Sequence, residues 1–138
     1  MERVITGTFD EDHFPCLEVE VQNRHKGLAQ RVKAIIDTGA AHCMIREALA
    51  TRLELEVLRT ADYRHPVFGT FLLNEYSMDL QLEGSGAPGG AVLEGVRAGT
   101  LNDPYYPASL IIGVEVLQYC RFTYDGTKRT FTLTLCRE

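Results

Sequence analysis

The segment Ala34-Ile35-Ile36-Asp37-Thr38-Gly39-Ala40 holds the arrangement best suited to chemistry: an acidic side chain delivered by an apolar run directly into a Thr-Gly turn. Each part has a physical task. The apolar strand fixes where the carboxylate sits, and Gly39 lets backbone approach both the carboxylate and a partner loop. The Thr38 hydroxyl can hydrogen-bond to hold the loop rigid. Such a loop suits a carboxylate that must not move. The other aspartates, Asp10, Asp12, Asp62, Asp79, Asp103 and Asp125, have no apolar strand running into Thr-Gly.

His42 and Cys43 follow closely and invite comparison with a Cys-His nucleophile pair, but adjacent side chains on a strand point to opposite faces. Cys43 therefore reads as a small buried apolar residue and His42 as solvent-facing. His13, His25 and His65 have no partner at metal or triad spacing and read as surface residues. Cys16, Cys43, Cys120 and Cys136 lie far apart, with no C-x-x-C pair and no histidine at ligand spacing, so no metal or other cofactor is expected. Free thiols in a reducing compartment fit best, although Cys16 and Cys136, near opposite ends, could come close in space. Tyr105 and Tyr106 sit in a Pro-flanked loop from which they could line a cleft.

The elements that must position these residues read mainly as strands. Cys16 to Val21 alternates, with Leu17, Val19 and Val21 on one face and Glu18 and Glu20 on the other. A polar turn from Asn23 to Gln30 leads into the strand Arg31 to Asp37. Ile45, Leu49 and Leu53 recur at helical spacing, which predicts a short amphipathic helix over Ile45 to Leu55. His65 to Leu73 and Tyr76 to Leu82 read as two strands around a mobile turn, and Gly84 to Gly90 as a loop tip. Ala91 to Ala98 resumes a strand, Asn102 to Pro107 is a loop, and Ala108 to Ile112 is a short apolar strand stopped by Gly113 before a helical turn, Val114 to Gln118. The chain ends in a hairpin, Cys120 to Tyr124 and Arg129 to Leu135, turning at Asp125 to Lys128. Many short strands and one convincing helix define an all-β class, a small closed or nearly closed barrel.

Two landmarks in order, Ile35 to Ala40 and then Leu110-Ile111-Ile112-Gly113-Val114-Glu115-Val116-Leu117, give the chain a family likeness. It resembles the retroviral-type (retropepsin-like) aspartic peptidases, whose signature is a hydrophobic pair followed by Asp-Thr-Gly-Ala or Asp-Ser-Gly-Ala, then an apolar strand ending in Gly and a short helix. The likeness covers roughly Leu17 to Leu135. It implies a single retropepsin-like domain, residues 1–138; the segment before Leu17 has no clear match to the family, and residues 1–15 read as a loosely ordered N-terminal segment. It implies Asp37 as the catalytic residue, Thr38, Gly39 and Ala40 as the active-site loop, and Ile112 and Gly113 as structural residues near the site. Pro66 to Thr70 falls where the family's flap is expected, so Val67, Phe68 and Gly69 are its substrate-binding residues, with Val67 and Phe68 equally readable as strand core. Gly113 is alternatively a plain strand end.

Two carboxylates that cannot both ionise divide the work of peptide hydrolysis, one taking a proton from water and the other polarising the amide. One Asp per chain therefore implies a homodimer acting on a polypeptide, or else a peptide-binding or dimerisation module of the same fold with little proteolytic activity. Val114-Glu115 stands where many viral members place an arginine that braces the dimer, and Glu115 either caps its helical turn or joins that contact.

Composition agrees with a globular enzyme-sized domain. The chain has 138 residues, 45% hydrophobic and 24% charged, enough for one core and too short for two lobes. A net charge of -5 and the lack of any basic run argue against nucleic acid as a partner. Met1-Glu2-Arg3-Val4 lacks a signal-peptide pattern, and no apolar stretch approaches the ~20 residues of a membrane helix, so the expected location is cytoplasmic, without a membrane partner.

Overall fold

The computed structural model describes residues 3–67, 69–82 and 91–136. Ten strands dominate it: β1 (Arg3–Phe9), β2 (Pro15–Asn23), β3 (Leu28–Ile36), β4 (Cys43–Arg46), β5 (Glu56–His65), β6 (Gly69–Leu82), β7 (Ala91–Leu101), β8 (Leu110–Ile112), β9 (Cys120–Asp125) and β10 (Thr130–Leu135). Two short helices, α1 (Glu47–Arg52) and α2 (Val114–Leu117), interrupt them.

The strands run β5-β6-β7-β4-β8-β3-β2-β1-β10-β9, and a further pairing of β6 with β2 closes the middle of this order into a six-stranded barrel. Val19 opposite Leu82 and Val21 opposite Leu80 form that seam, and all four side chains are buried. The alternation in β2 is what makes closure work, because one face of the strand can then point wholly inward. Fully buried Ile45, Leu80, Leu82, Leu110 and Ile112 join Val19 and Val21 in the core. Each such side chain contributes on the order of 1.5–3 kcal/mol through burial.

β3 ends in Ala34, Ile35 and Ile36, all buried. It lies between antiparallel β2 and parallel β8, with Ile35 opposite Ile111 and Ile36 opposite Ile112. A strand covered on both faces needs a continuous apolar run rather than alternation, and this one has it. The terminal hairpin β9–β10 forms as its alternation requires, turning where Asp125 Oδ1 accepts the amides of Thr127 and Lys128.

Four expectations need correction. The expected helix over Ile45 to Leu55 is a strand followed by a shorter helix. Cys43–Arg46 pairs with β7 in parallel and β8 in antiparallel fashion, and this pairing outweighs the helical spacing of Ile45, Leu49 and Leu53. The two strands placed around Asn74 are one long strand, β6, whose partner β5 was not foreseen. Thr60 Oγ1 donates to Asn74 Oδ1 at 2.7 Å, Thr100 Oγ1 donates to the Asn74 carbonyl at 2.7 Å, and Arg59 pairs with Glu75, so the polar pair is held within the ladder. The N-terminal segment is not loose between Arg3 and Phe9. It is β1, paired along its length with β10, with Ile5 fully buried. Finally, β7 runs on past Ala98 to Leu101, because β4 lies alongside Ala98 to Leu101. The Gly84 to Gly90 tip lies outside the described residues; its flanks pair as Leu82 with Ala91.

Candidate active site

Asp37 emerges where β3 ends; two backbone hydrogen bonds stitch its loop to β8 and α2, and a third closes the loop on itself. The Asp37 amide donates to the Ile112 carbonyl at 3.0 Å, the Ala40 amide to the Asp37 carbonyl at 3.2 Å, and the Val114 amide to the Ala40 carbonyl at 2.8 Å. The carboxylate itself is oriented by the Gly39 amide, which donates to Asp37 Oδ1 at 2.8 Å. A Cβ on residue 39 would stand 3.2 Å from that same oxygen, so glycine allows the approach.

Gly113 is more constrained than a strand end would be. A Cβ there would stand 2.5 Å from the His42 carbonyl oxygen and 2.6 Å from that of Ala40. Both are backbone atoms, which cannot swing aside like a side chain. The close crossing of the Asp37 loop over the β8–α2 junction therefore depends on this glycine, and Ile112 beside it is fully buried.

Thr38 behaves differently from the intraloop brace expected of it. Its side chain is exposed, and its hydroxyl makes no hydrogen bond among the described residues. The loop is instead held by its backbone and by a pair absent from the expectations. His42 Nδ1 lies 2.9 Å from Glu115 Oε1, tying the end of the loop to the first turn of α2. His42 is solvent-facing as read, and Glu115 is engaged by it. Cys43 is buried, and burial, partly offset by the Gly113 backbone, pushes its thiol up to about 11.

A cavity of about 260 Å³ lies against Asp37, lined among others by Phe14, Ile35, Thr38, Tyr106, Phe122 and Tyr124. Among the described residues, Asp37 is the only carboxylate in this lining. Of the two loop tyrosines, Tyr106 faces the cavity whereas Tyr105 is 92% exposed. Burial raises the Tyr106 phenol above its ordinary value, and the negative charges of Asp37, Asp10 and Asp103 add to this. The Tyr106 loop is fastened by Arg46, which donates to the Asp103 carbonyl at 2.9 Å and also to the Tyr106 carbonyl. Nothing local in the sequence signals Arg46, because its partners are distant in the chain.

Of the residues expected to form the flap, those described stand apart from this cavity. Pro66 and Val67 form the turn between β5 and β6, Val67 is 78% exposed, and Gly69 begins β6 with φ at +87°. Neither Val67 nor Gly69 lines the Asp37 cavity, and Phe68 lies outside the described residues. A larger open hollow of about 940 Å³, bordered by Asn23, Met78 and Gly95, shares no residue with it. Two exposed ion pairs line that hollow, Arg24–Glu94 at 2.7 Å and Lys26–Glu54 at 2.9 Å. The four cysteines are free thiols. Among the described residues no helix is long and apolar enough to cross a membrane.

Residues 17–116 match the family model described as aspartyl protease, and the chain belongs to that family. Its fold is retropepsin-like. A retropepsin-like aspartic protease from Rickettsia conorii superposes with a TM-score of 0.65 at 15% identity, covering 97% of this chain and 92% of that one. The retroviral protease-like domain of Ddi1 from Leishmania major superposes with a TM-score of 0.52 at 17% identity, covering 85% and 86%. No curated protein matches the chain.

Proposed function

We propose that this chain is an aspartic endopeptidase, one domain per chain, whose catalytic centre forms when Asp37 of one copy meets Asp37 of a second. The observation that carries this reading is a family-matched carboxylate held by the Gly39 amide at 2.8 Å in a cavity with no other acid among the described residues that line it. One carboxylate cannot serve as both base and acid in a single step, so the second must come from outside the chain. Thr38 beside it is exposed, and among the described residues its hydroxyl has no hydrogen-bond partner, so it is accessible to a second copy.

In the paired site one aspartate is ionised and takes a proton from water, while its protonated mate hydrogen-bonds the scissile carbonyl oxygen. Two like charges at hydrogen-bond distance cannot both persist, which keeps one proton shared between them. Water attacks the carbonyl carbon, the tetrahedral intermediate collapses, and the proton passes to the leaving nitrogen. The substrate is an extended polypeptide, taken as an added strand beneath the β5–β6 hairpin around Val67 and Gly69. Free thiols suit a reducing compartment, and the cytoplasm is the proposed location.

The test is cleavage of an unstructured protein at mildly acidic pH, with inhibition by a statine-type transition-state mimic. Asp37→Asn is expected to abolish turnover while leaving the fold intact. Activity persisting in that variant removes the aspartic mechanism. Peptide binding without turnover in the wild type favours a binding module of the same fold.

A further inference from the structure

Phe14 is a large apolar side chain left 48% exposed, and it lines the Asp37 cavity. The five-residue connection that carries it is unusually well tied. Asp10 Oδ1 accepts the amides of Asp12 at 2.9 Å and Phe14 at 3.0 Å. The Asp10 amide donates to the Phe14 carbonyl at 2.8 Å, and His13, at φ 68°, donates its amide to the Asp10 carbonyl at 3.0 Å. The other carboxylate oxygen, Oδ2, lies 3.2 Å from Lys33 Nζ.

Lys33 belongs to β3, the strand that delivers Asp37, and its side chain reaches back to Asp10. The turn is thus anchored to the same strand that delivers the reactive carboxylate, so the Phe14 backbone is held in place relative to Asp37. Ile35, Phe122 and Tyr124 complete an apolar, aromatic surround on that side of the cavity. An aromatic ring carried on a tied turn beside a carboxylate offers a wall for an apolar side chain, with the backbone part of the ordering cost already met.

We infer that Phe14 is a specificity-determining wall that receives a bulky apolar side chain of the peptide next to the scissile bond, and that Asp10 is the residue that positions it. This rests on the reading of Asp37 as the catalytic carboxylate. Phe14→Ala removes the wall, so cleavage of a peptide with Phe flanking the scissile bond falls about tenfold in kcat/KM. A matched peptide with Ala at that place changes less than about twofold. Asp10→Ala reproduces this selectivity loss through KM with kcat retained. If that variant does not fold, Lys33→Met, which releases only the strand anchor, is read in the same way.

A readout independent of turnover is available because the chain contains no tryptophan. Phe14→Trp places the sole indole at the rim, and its emission shifts to the blue when a statine peptide bearing a Phe side chain binds. The outcomes separate cleanly. Equal loss on both peptides, or unshifted emission when calorimetry reports binding, overturns the wall while leaving the peptidase reading intact. A blue shift with binding but no cleavage, by wild type as well, overturns the peptidase reading and with it the role beside a scissile bond, leaving Phe14 as a contact for a bound apolar side chain only. A chain that neither binds nor cleaves the peptides overturns both.

Discussion

Replacing Gly113 by alanine drives a methyl group into the backbone on which the Asp37 loop rests. The added carbon meets the His42 and Ala40 carbonyl oxygens at 2.5 and 2.6 Å, so each must retreat by close to an ångström before ordinary contact is restored. Those carbonyls cannot move alone. Ala40 accepts the Val114 amide at 2.8 Å, and the Asp37 amide is bonded to Ile112 at 3.0 Å, so the displacement passes into the loop that holds the carboxylate. Forced overpacking of this kind costs about 1–3 kcal/mol. For a domain of this size that is a fall in Tm of roughly 3–12 °C. A shift near 1 Å in a reacting group also costs on the order of 100-fold in rate. Thermal melting by circular dichroism and kcat/KM on a peptide substrate measure the two effects. Gly99→Ala is the control, because its Cβ would meet nothing nearer than the Cys43 carbonyl at 4.0 Å. Its stability should stay within about 0.5 kcal/mol of wild type. Wild-type melting and catalysis in Gly113→Ala would refute the packing argument.

The Asp10 carboxylate is pushed up by burial, but its bonds to the Phe14 amide, Lys33 and the Asp12 amide outweigh this, and its pKa lies below the ordinary 3.8. A depressed folded pKa means stability that is present above the unfolded value and lost as pH falls through the folded one. Asp10→Asn should therefore flatten the decline of Tm below about pH 4, and an unchanged acid limb contradicts the assignment. Burial pushes the Cys43 and Cys120 thiols up to about 11, whereas Cys136 is exposed. A thiol reagent at pH near 8 should label Cys136 well before Cys43, as mass spectrometry of timed samples will show. The His42–Glu115 pair is exposed on the histidine side, so a double-mutant cycle with His42→Ala and Glu115→Ala should give a coupling of about 0.2–1 kcal/mol that shrinks with added salt. A coupling well above that range means the pair is shielded, as it would be inside an interface.

The parts of the molecule legible beforehand are those in which local pattern and tertiary role coincide. Ala34-Ile35-Ile36 is apolar at every position because β3 is covered on both faces, and that run leads straight to Asp37. Threonines alternate with Phe131, Leu133 and Leu135 because one face of β10 is buried. Gly113 was visible as a landmark, although its steric necessity appears only once the Asp37 loop is seen crossing it.

What escaped reading depends on residues far apart in the chain. Ile45 serves a strand although its spacing with Leu49 and Leu53 imitates a helix, since β7 and β8 claim Cys43–Arg46. Asn74 and Glu75 look like a break until Thr60, Thr100 and Arg59 are found beside them. Phe14 acquires a place near Asp37 only through the Asp10 turn and Lys33, and Tyr106 only through Arg46. Thr38, expected as an internal brace, is exposed, and its hydroxyl has no partner among the described residues.

The central claim is that each chain supplies one aspartate and two chains make one site. Refolding wild-type chains mixed with Asp37→Asn chains, and measuring peptide cleavage per wild-type chain, tests it most directly. If sites form only between two wild-type copies, activity per wild-type chain falls in proportion to the wild-type fraction, to about one half in an equal mixture. Activity per wild-type chain that stays constant across all mixtures would contradict the shared dyad.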